Sequence, residues 1–352
     1  MNDKSLSFLE KLMSVPSPSG YERDAQEIVR QETEKFCDKV EKDTHGNLIS
    51  IINPEGKPRV MFSGHIDEIG FMVKYIDENG YIYFAPVGGW DPQISQGQRV
   101  IILTQKGPIK GVIGKKPIHL MSNEDRKKVV EIKDQWIDIG ARDKEEAEKL
   151  VRIGDYIVID VSFAHLRDDI VVSRGFDDKA GAFVVVETLR LLKDRDFSAG
   201  VYGVTSVQEE IGLRGAKTSA YHINPDIGIA IDVTFSTDSP TIEKKLVGDI
   251  KIGGGPVIAR GPNINPKVEA LLMKTAEEEG IPYQLEGANR ATGTDANVIQ
   301  ITRGGIATAL VSVPNRYMHT PCEVVSLSDP ENVAKLLASF IKRLTPDTDL
   351  VP

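Results

Sequence analysis

The chain has 352 residues, of which 40% are hydrophobic and 27% are charged, values typical of a water-soluble globular protein. Because this length exceeds that of most single domains, we expect two domains. The net charge of −9 argues against nucleic acid or an anionic membrane as the main partner, since both require clustered Lys and Arg.

The N-terminal segment and the cysteines both favour a cytoplasmic location. Apolar residues near the N-terminus follow an amphipathic pattern, unlike the continuous apolar core of a signal peptide. No stretch reaches the ~18 apolar residues that a membrane span requires. Cys37 and Cys322 lie far apart in the sequence and do not make a disulfide framework, so we expect both to be thiols.

The first 65 residues or so predict two helices joined by a turn, followed by two strands. The segment from Pro16 to Gly20 ends the first helix, and Ser19 with Glu22 predicts a capping box at the start of the second. Residues 60–63 then predict a short buried strand that ends at Gly64-His65.

From about Glu68 to Phe163 the sequence changes to short β-rich segments separated by Gly, Pro and charged turns. These segments are residues 71–75, 81–84, 99–104, 109–113, 135–139 and 156–161, with a short charged helix at 144–150. The pattern predicts a small all-β barrel or sandwich. Because α/β sequence lies on both sides, we expect residues 68–163 to be a domain inserted into a main domain formed by 1–67 and 164–352.

After Arg174 the alternation of helices and strands resumes. The predicted elements are a helix around residues 183–192, strands at 201–207, 227–233 and 306–313, a helix at 266–279, and a final helix capped by Ser328 and Glu331. This order predicts an open α/β sheet, in which residues at the ends of strands converge on one crevice.

Acidic and histidine residues stand where the predicted strands end. In His65-Ile66-Asp67, residues two apart share a face of an extended segment. The Asp67 carboxylate could therefore accept a hydrogen bond from one imidazole nitrogen and leave the other free to bind a metal. A simple surface pair is the alternative.

Two pairs of adjacent carboxylates follow. Asp177-Asp178 precedes an apolar helix, where the pair either caps the helix or projects into the crevice to bridge two ions. Glu209-Glu210 ends a buried strand, where two carboxylates are costly unless positive charge compensates them. One could bind metal while its neighbour acts on a water, or the pair could form a charged turn.

Two further residues extend the set. Asp232 lies inside an apolar run, where a buried carboxylate needs a cation or a strong set of hydrogen bonds. His319 follows the strand predicted at 306–313 and is either a ligand or a turn residue. His119 in the β-rich segment lacks a comparable setting and is a weaker candidate.

Taken together, these motifs resemble the M42 family of metallo-aminopeptidases over essentially the whole chain. The matching segments are GHxDE at 64–68, GFDDKAG at 175–181, QEEIGLRGA at 208–216, IAIDV at 229–233 and YMHTP at 317–321, with Gly293-Thr294-Asp295-Ala296 before a helix.

The resemblance implies a role for each candidate in a site for two divalent cations. His65 and Asp232 would hold one ion, and Glu210 and His319 the other. Asp177 would bridge the two, Glu209 would be the general base, and Asp67 would orient His65. Oxygen and nitrogen ligands suit Zn²⁺, Co²⁺ or Mn²⁺ alike.

The resemblance also implies the fold, the reaction and the assembly. The fold would be a Rossmann-like peptidase domain, with a mixed sheet flanked by helices and a PDZ-like insertion used for assembly. The enzyme would release the first residue of small peptides through a water activated by two metals. It would form a homo-oligomer, a dimer or a dodecameric shell. A preference for acidic first residues would need a cation in the pocket, for which Arg290, Arg316 and Lys244-Lys245 are candidates.

Two other functions also use carboxylates or a peptidase scaffold of this kind. A glycoside hydrolase also uses paired carboxylates, but it needs a cleft rich in aromatic residues. Aromatic content is only 6%, both tryptophans (Trp90 and Trp136) lie in the insertion, and the histidines would have no role. A non-catalytic peptide-binding scaffold would be indicated by the loss of Glu209 or of a ligand, and all are present.

Overall fold

The computed structural model describes residues 1–194 and 196–352. Its strands are β1 (Lys39–Lys42), β2 (Leu48–Ile52), β3 (Arg59–His65), β4 (Gly70–Ile76), β5 (Ile82–Val87), β6 (Arg99–Thr104), β7 (Gly107–Gly114), β8 (Trp136–Asp138), β9 (Tyr156–Ile159), β10 (Ala164–Arg167), β11 (Ile170–Ser173), β12 (Gly200–Ser206), β13 (Ile227–Phe235), β14 (Val257–Arg260), β15 (Gln284–Gly287), β16 (Ala307–Asn315) and β17 (Glu323–Ser326).

The α-helices of the described residues are α1 (Asp3–Ser14), α2 (Arg23–Thr33), α3 (Pro92–Ser95), α4 (Lys144–Leu150), α5 (Phe176–Leu191), α6 (Arg214–Ile223), α7 (Lys244–Val247), α8 (Pro266–Glu279), α9 (Ala296–Gln300) and α10 (Ser328–Arg343). Within these residues, no helix combines the length and the apolar character needed to cross a membrane.

The larger sheet has eight strands in the order β1-β2-β12-β3-β13-β16-β14-β15. Its four central strands, β12, β3, β13 and β16, run parallel to one another, whereas β2 and β14 pair antiparallel with the outer members of this group. Helix α5 packs against β3, β12 and β13. The predicted α/β fold with a mixed sheet is confirmed. Because the four central strands point the same way, their carboxyl ends meet at one edge of the sheet.

Continuous apolar sequence places these strands in the core. β12 is buried along its whole length, as expected of a parallel strand covered on both faces. Helix α5 is also buried on nearly every side, and Phe183 and Val184 on it have no exposed surface. The start of α5 is thereby fixed against the carboxyl ends of the strands.

The β-rich segment forms a closed barrel in the order β4-β5-β8-β7-β6-β9. Each predicted β segment contains or overlaps one of these strands, and α4 begins and ends at the predicted residues. The barrel has its own apolar core, which includes Phe71, Ile102 and Ile157 and is separate from the core of the main sheet. The predicted all-β character is confirmed, and of the two predicted forms, barrel and sandwich, the structure has the barrel.

A small antiparallel sheet of β10, β11 and β17 brings two distant segments together. Ser173, at the end of β11, is the register partner of Glu323, at the start of β17. The residues that follow Ser173 lead into α5 and Asp177, and those that precede Glu323 include His319. This pairing therefore sets two predicted site residues side by side.

Both predicted helix caps are wrong, because neither helix has a side-chain capping hydrogen bond. Helix α2 begins at Arg23, and its N-cap Glu22 makes no capping hydrogen bond. Ser19 instead donates from Oγ to the Asp67 carboxylate at 2.6 Å. Helix α10 begins at Ser328 without a side-chain cap, and Glu331 pairs with the N-terminal amine of Met1 at 2.7 Å.

The sequence also predicted two strands in the first 65 residues, and the structure has three. The additional strand, β1, lies at the edge of the main sheet and is charged at both ends. Charged residues are common on edge strands because they discourage pairing with other chains, and they also remove the apolar run by which a strand is recognised.

Candidate active site

Six of the seven predicted site residues line one cavity of about 550 Å³. They are His65, Asp177, Glu209, Glu210, Asp232 and His319. The seventh, Asp67, lies behind the cavity wall with no exposed surface. The motifs are dispersed over more than 250 positions of sequence, and the fold brings them to one place.

The parallel strands deliver these side chains. His65 is the last residue of β3, and Ser206 beside it in the register is the last of β12, so Glu209 and Glu210 follow directly. Asp232 lies in β13 next to β3, and His319 follows β16. Each comes from the carboxyl-terminal part of its strand or from the loop that follows, at the edge where ligands of open α/β sheets bind.

Asp177 lies between the two histidines. Its Oδ1 is 3.1 Å from Nε2 of His65, and its Oδ2 is 3.1 Å from Nε2 of His319. Nε2 of His65 also lies 4.0 Å from Oδ1 of Asp232, and Nε2 of His319 lies 3.5 Å from Oε1 of Glu210. Two groups of donors thus share one carboxylate.

The outer ring nitrogens fix both imidazoles. Nδ1 of His65 is 3.0 Å from the carbonyl oxygen of Asp67, and Nδ1 of His319 is 3.0 Å from that of Gly89. A carbonyl oxygen only accepts, so each Nδ1 carries a proton, and Nε2 is the nitrogen of each ring that is placed to face a metal. The nearest oxygen of Asp67 is thus its carbonyl, and not the carboxylate that the sequence indicated, which is 3.6 Å away.

The Asp67 carboxylate is engaged elsewhere. Its Oδ1 accepts from the backbone amide of Glu209 at 3.1 Å, and its Oδ2 accepts from that of Glu210 at 3.2 Å and from Ser19 Oγ. Asp67 therefore ties the segment after β3 to the two glutamates after β12. Its position predicts that both glutamates are held rigidly at the cavity wall.

Burial makes this concentration of carboxylates unfavourable without added positive charge. Burial raises the pKa of Glu209 to about 9 and that of Asp232 to about 8, and it raises the pKa of Glu210 well above its usual value. Burial opposes ionisation of Asp177 as well, but hydrogen bonds with His319 and His65 outweigh it and lower its pKa. Two imidazoles cannot neutralise four buried carboxylates.

The residues present fit divalent cations. Oε1 of Glu210 is buried and has no hydrogen-bond partner among the described residues, which is expected of an oxygen that binds a cation. Two sets of donor atoms lie within 4.8 Å of one another: His65, Asp177 and Glu210, and His65, Asp178 and Asp232. Imidazole nitrogen and carboxylate oxygen are common ligands of divalent first-row metals.

Asp178 belongs to the second of these sets by distance, but its oxygens already have donors. Oδ2 accepts from the backbone amide of His65 at 3.0 Å, and Oδ1 accepts from that of Gly181 at 2.9 Å. These bonds fix the end of β3 against the start of α5. We therefore assign Asp178 a positioning role and leave Asp177 as the candidate ligand.

Glu323, a fully buried carboxylate behind the site, was not predicted from the sequence. Its Oε2 accepts from the backbone amide of Asp177, and its Oε1 accepts from that of His319, both at 2.9 Å. Glu323 thus holds the two candidate ligands of one ion in their relative position. In the sequence it is an acidic residue before an apolar strand, and no local pattern distinguishes it.

Replacing Glu323 with Gln is expected to weaken metal binding by about 10- to 100-fold, because residues that orient ligands contribute this much in other metal sites. The NH₂ group of the new side chain would face a backbone N–H from which it cannot accept a hydrogen bond. The measurement is calorimetric titration of chelator-treated protein with Co²⁺. Cys322→Ser is the matched control, since Cys322 is exposed and adjacent. Equal affinity in both variants would contradict the positioning role.

A second group of residues that was not predicted from the sequence is centred on the buried carboxylate of Glu68. Lys179 is fully buried and donates from Nζ to Oε1 of Glu68 at 2.8 Å and to the Val15 carbonyl at 2.7 Å. Oε2 of Glu68 lies 3.3 Å from Nε of Arg174. The pairing of Glu68 with two cations fixes α5 to the segment after β3. Asp295 joins β3 and β12 in a similar way, accepting from Ser63 and Ser206.

The other candidates from the sequence lie elsewhere, except Arg290. His119 is exposed in a short turn and does not line the cavity, and Cys37 and Cys322 form no disulfide. Arg316 pairs with Asp238 at 2.6 Å, and Lys244 and Lys245 pair with neighbouring carboxylates, all outside the cavity. Arg290 lines the cavity and is exposed.

Comparison with known proteins places this site in a family. Residues 46–336 match the family described as M42 glutamyl aminopeptidase, a segment that contains every residue of the site. The chain belongs to the M42 peptidase family. This M42 chain is 38% identical to a lysyl aminopeptidase of Pyrococcus furiosus over 96% of its own length and 97% of the relative.

Solved structures of aminopeptidases also resemble this chain over nearly its whole length. A TET aminopeptidase from a marine sediment archaeon of the Thaumarchaeota superposes with a TM-score of 0.92 at 37% identity, covering 97% of both chains. The TET1 peptidase of Pyrococcus horikoshii gives a TM-score of 0.87 at 35% identity, covering 97% of this chain and 100% of the other. The M42 chain is therefore an aminopeptidase, and the family match disfavours the glycoside hydrolase alternative.

Proposed function

We propose that this M42 chain removes the N-terminal residue of short peptides with two divalent cations bound in the cavity. The observation that carries the proposal is the position of the Asp177 carboxylate between two histidines. Its Oδ1 lies 3.1 Å from Nε2 of His65, and its Oδ2 lies 3.1 Å from Nε2 of His319. In this proposal His65 and Asp232 would hold one cation, Glu210 and His319 would hold the other, and Asp177 would be shared by both.

The roles of the residues follow from their positions. When bound, the cations polarise the scissile carbonyl and lower the pKa of a water molecule. Glu209 lies 3.8 Å from Nε2 of His65 and is not needed as a ligand, so it is the candidate general base. Its carboxylate would take the proton of the attacking water and pass it to the leaving amine. Asp67 would act by holding Glu209 and Glu210 through their backbone amides.

The cavity also favours a free N-terminus. The nitrogen of a free α-amino group would bind at or near one of the cations, whereas the nitrogen of an acetylated N-terminus is an amide whose lone pair is delocalised into the carbonyl. This supports removal of single residues from short peptides with an unblocked end.

The finer features of the proposal concern the metal and the assembly. We propose Zn²⁺ or Co²⁺, with Mn²⁺ also compatible with the ligands. The Pyrococcus horikoshii TET1 peptidase assembles into a tetrahedron or a large octahedral shell. We propose that this chain likewise forms a homo-oligomer, built from dimers and reaching a dodecamer, in the cytoplasm. We also propose that residues 68–163, which contain the barrel, are an assembly domain inserted into a main domain formed by 1–67 and 164–352. The separate apolar core of the barrel supports this division.

Hydrolysis of aminoacyl p-nitroanilides by chelator-treated protein tests the proposal. Activity is expected to disappear on chelation and to return with Co²⁺ or Zn²⁺, while N-acetylated substrates and a soluble cellulose stay intact. Anilide hydrolysis unaffected by chelation would contradict the metal-dependent mechanism, and hydrolysis of the cellulose would support the glycoside hydrolase instead.

A further inference from the structure

The cavity holds one carboxylate that the proposed mechanism does not use, that of Glu286. Glu286 lies on β15 at the edge of the main sheet, and its Oε2 accepts from Thr234 Oγ1 at 2.9 Å. Thr234 is two positions after Asp232 in β13, so both side chains lie on the same face of that strand, roughly 7 Å apart. Glu286 therefore lies about one side-chain length along the cavity from Asp232, a proposed ligand.

The cavity that contains Glu286 is lined by apolar as well as polar residues. Ala259 is the register partner of Glu286 on β14, and Leu310 and Met318 also line the cavity. The side chain is half-buried, and burial raises the pKa of its carboxyl, against a smaller opposing effect of the Thr234 hydroxyl. A carboxylate withdrawn from water in this way costs free energy unless a donor or a cation compensates it.

The charges in the cavity leave Glu286 without such a cation. Two divalent ions would balance the four carboxylates of Asp177, Glu209, Glu210 and Asp232, which all line the cavity. Arg290 is the one Arg or Lys among the cavity-lining residues that the structure describes, and its side chain is exposed. No ion pair within 4.0 Å joins Arg290 to Glu286 in the described residues.

We infer that Glu286 selects peptides whose first residue is Lys or Arg. This inference rests on the proposed function, because it takes the first side chain of the substrate to enter this cavity. The methylene groups of that side chain would pack along the walls formed by Ala259, Leu310 and Met318. Its charged end would then reach Glu286, the manner in which long cationic side chains cover apolar surface.

A preference for Lys or Arg is the opposite of the acidic preference for which Arg290 was a candidate from the sequence. Glu286 is half-buried at an apolar wall, where the attraction between opposite charges is strong. Arg290 is exposed to water, which screens its charge. The half-buried carboxylate of Glu286 should therefore dominate the choice of side chain.

The test compares kcat/KM for lysyl, leucyl and glutamyl p-nitroanilides in the Co²⁺-loaded full chain and in two variants, each with one cavity-lining residue replaced. The wild-type protein is expected to prefer lysyl over leucyl substrate. Glu286→Gln should lower the lysyl-to-leucyl ratio by about 30-fold, the effect of losing a hydrogen bond to a charged group. Arg290→Gln, the matched control of opposite charge, should keep the lysyl preference.

The ratio is measured within one protein, so differences in folding or metal content cancel. Glu286→Asp, which retains the charge, should restore part of the lysyl preference. A wild-type preference for the glutamyl substrate that disappears in Arg290→Gln would overturn the inference, as would a ratio unchanged by Glu286→Gln. Absence of hydrolysis of every anilide would overturn the proposed function as well, whereas leucyl hydrolysis with an unchanged ratio would overturn the inference alone.

Discussion

Replacing Glu209 with Gln is expected to lower kcat by about 10²- to 10⁴-fold, the range that a positioned general base contributes. The amide of Gln has nearly the shape of the carboxylate, but it cannot take a proton from water. The backbone amide at position 209 would still donate to Asp67, so the wall of the cavity should keep its position. Both cations should remain bound, because Glu209 is not among the proposed ligands. The measurements are kcat on an aminoacyl anilide and the metal content of the protein.

Glu187→Gln is the matched control for this variant. Glu187 is as buried as Glu209, with 5% against 9% of its surface exposed, but it lies on α5 outside the cavity and accepts from Ser5. Its variant should retain a kcat close to that of the wild-type protein. If Glu209→Gln turned over at the wild-type rate, Glu209 would not be the base. If the variant lost metal together with activity, Glu209 would be a ligand.

The sequence sufficed for the main strands and for the residues at their ends. Strands buried on both faces have continuous apolar sequences, which makes them recognisable. Because the carboxyl ends of such strands meet in one crevice, the sequence predicts that His65, Asp232 and His319 lie close together. Helices α4 and α8 were predicted to the residue because charged and apolar positions alternate with helical periodicity and Pro266 marks a start.

What the sequence could not show were partners distant along the chain. The Ser19 hydroxyl fits a capping box locally, yet it donates to Asp67, 48 positions away. Glu323 holds backbone amides of Asp177 and His319, and a carboxylate that accepts from backbone leaves no trace in residue spacing. Glu286 becomes a candidate for substrate selection only once the structure shows that β15 contributes it to the cavity.

Replacing Asp177 with Ala is expected to abolish the binding of both cations. Each oxygen of Asp177 lies 3.1 Å from Nε2 of a different histidine, so one carboxylate contributes to both groups of donors. Without it, the affinity for each cation should fall by at least about 100-fold. Activity should then fall below detection at micromolar metal. Calorimetric titration with Zn²⁺ or Co²⁺ gives the number of ions bound per chain.

Comparison with Asp232→Ala distinguishes a residue shared by both ions from a ligand of one ion. Asp232 lies 4.0 Å from His65, in the group of donors that excludes His319, so its variant should lose one cation and keep the other. The wild-type protein, Asp232→Ala and Asp177→Ala should therefore bind two, one and no ions. If Asp177→Ala still bound two ions, the bridging assignment would be wrong. If it bound one, Asp177 would belong to a single site, and the second ion would depend on the remaining carboxylates alone.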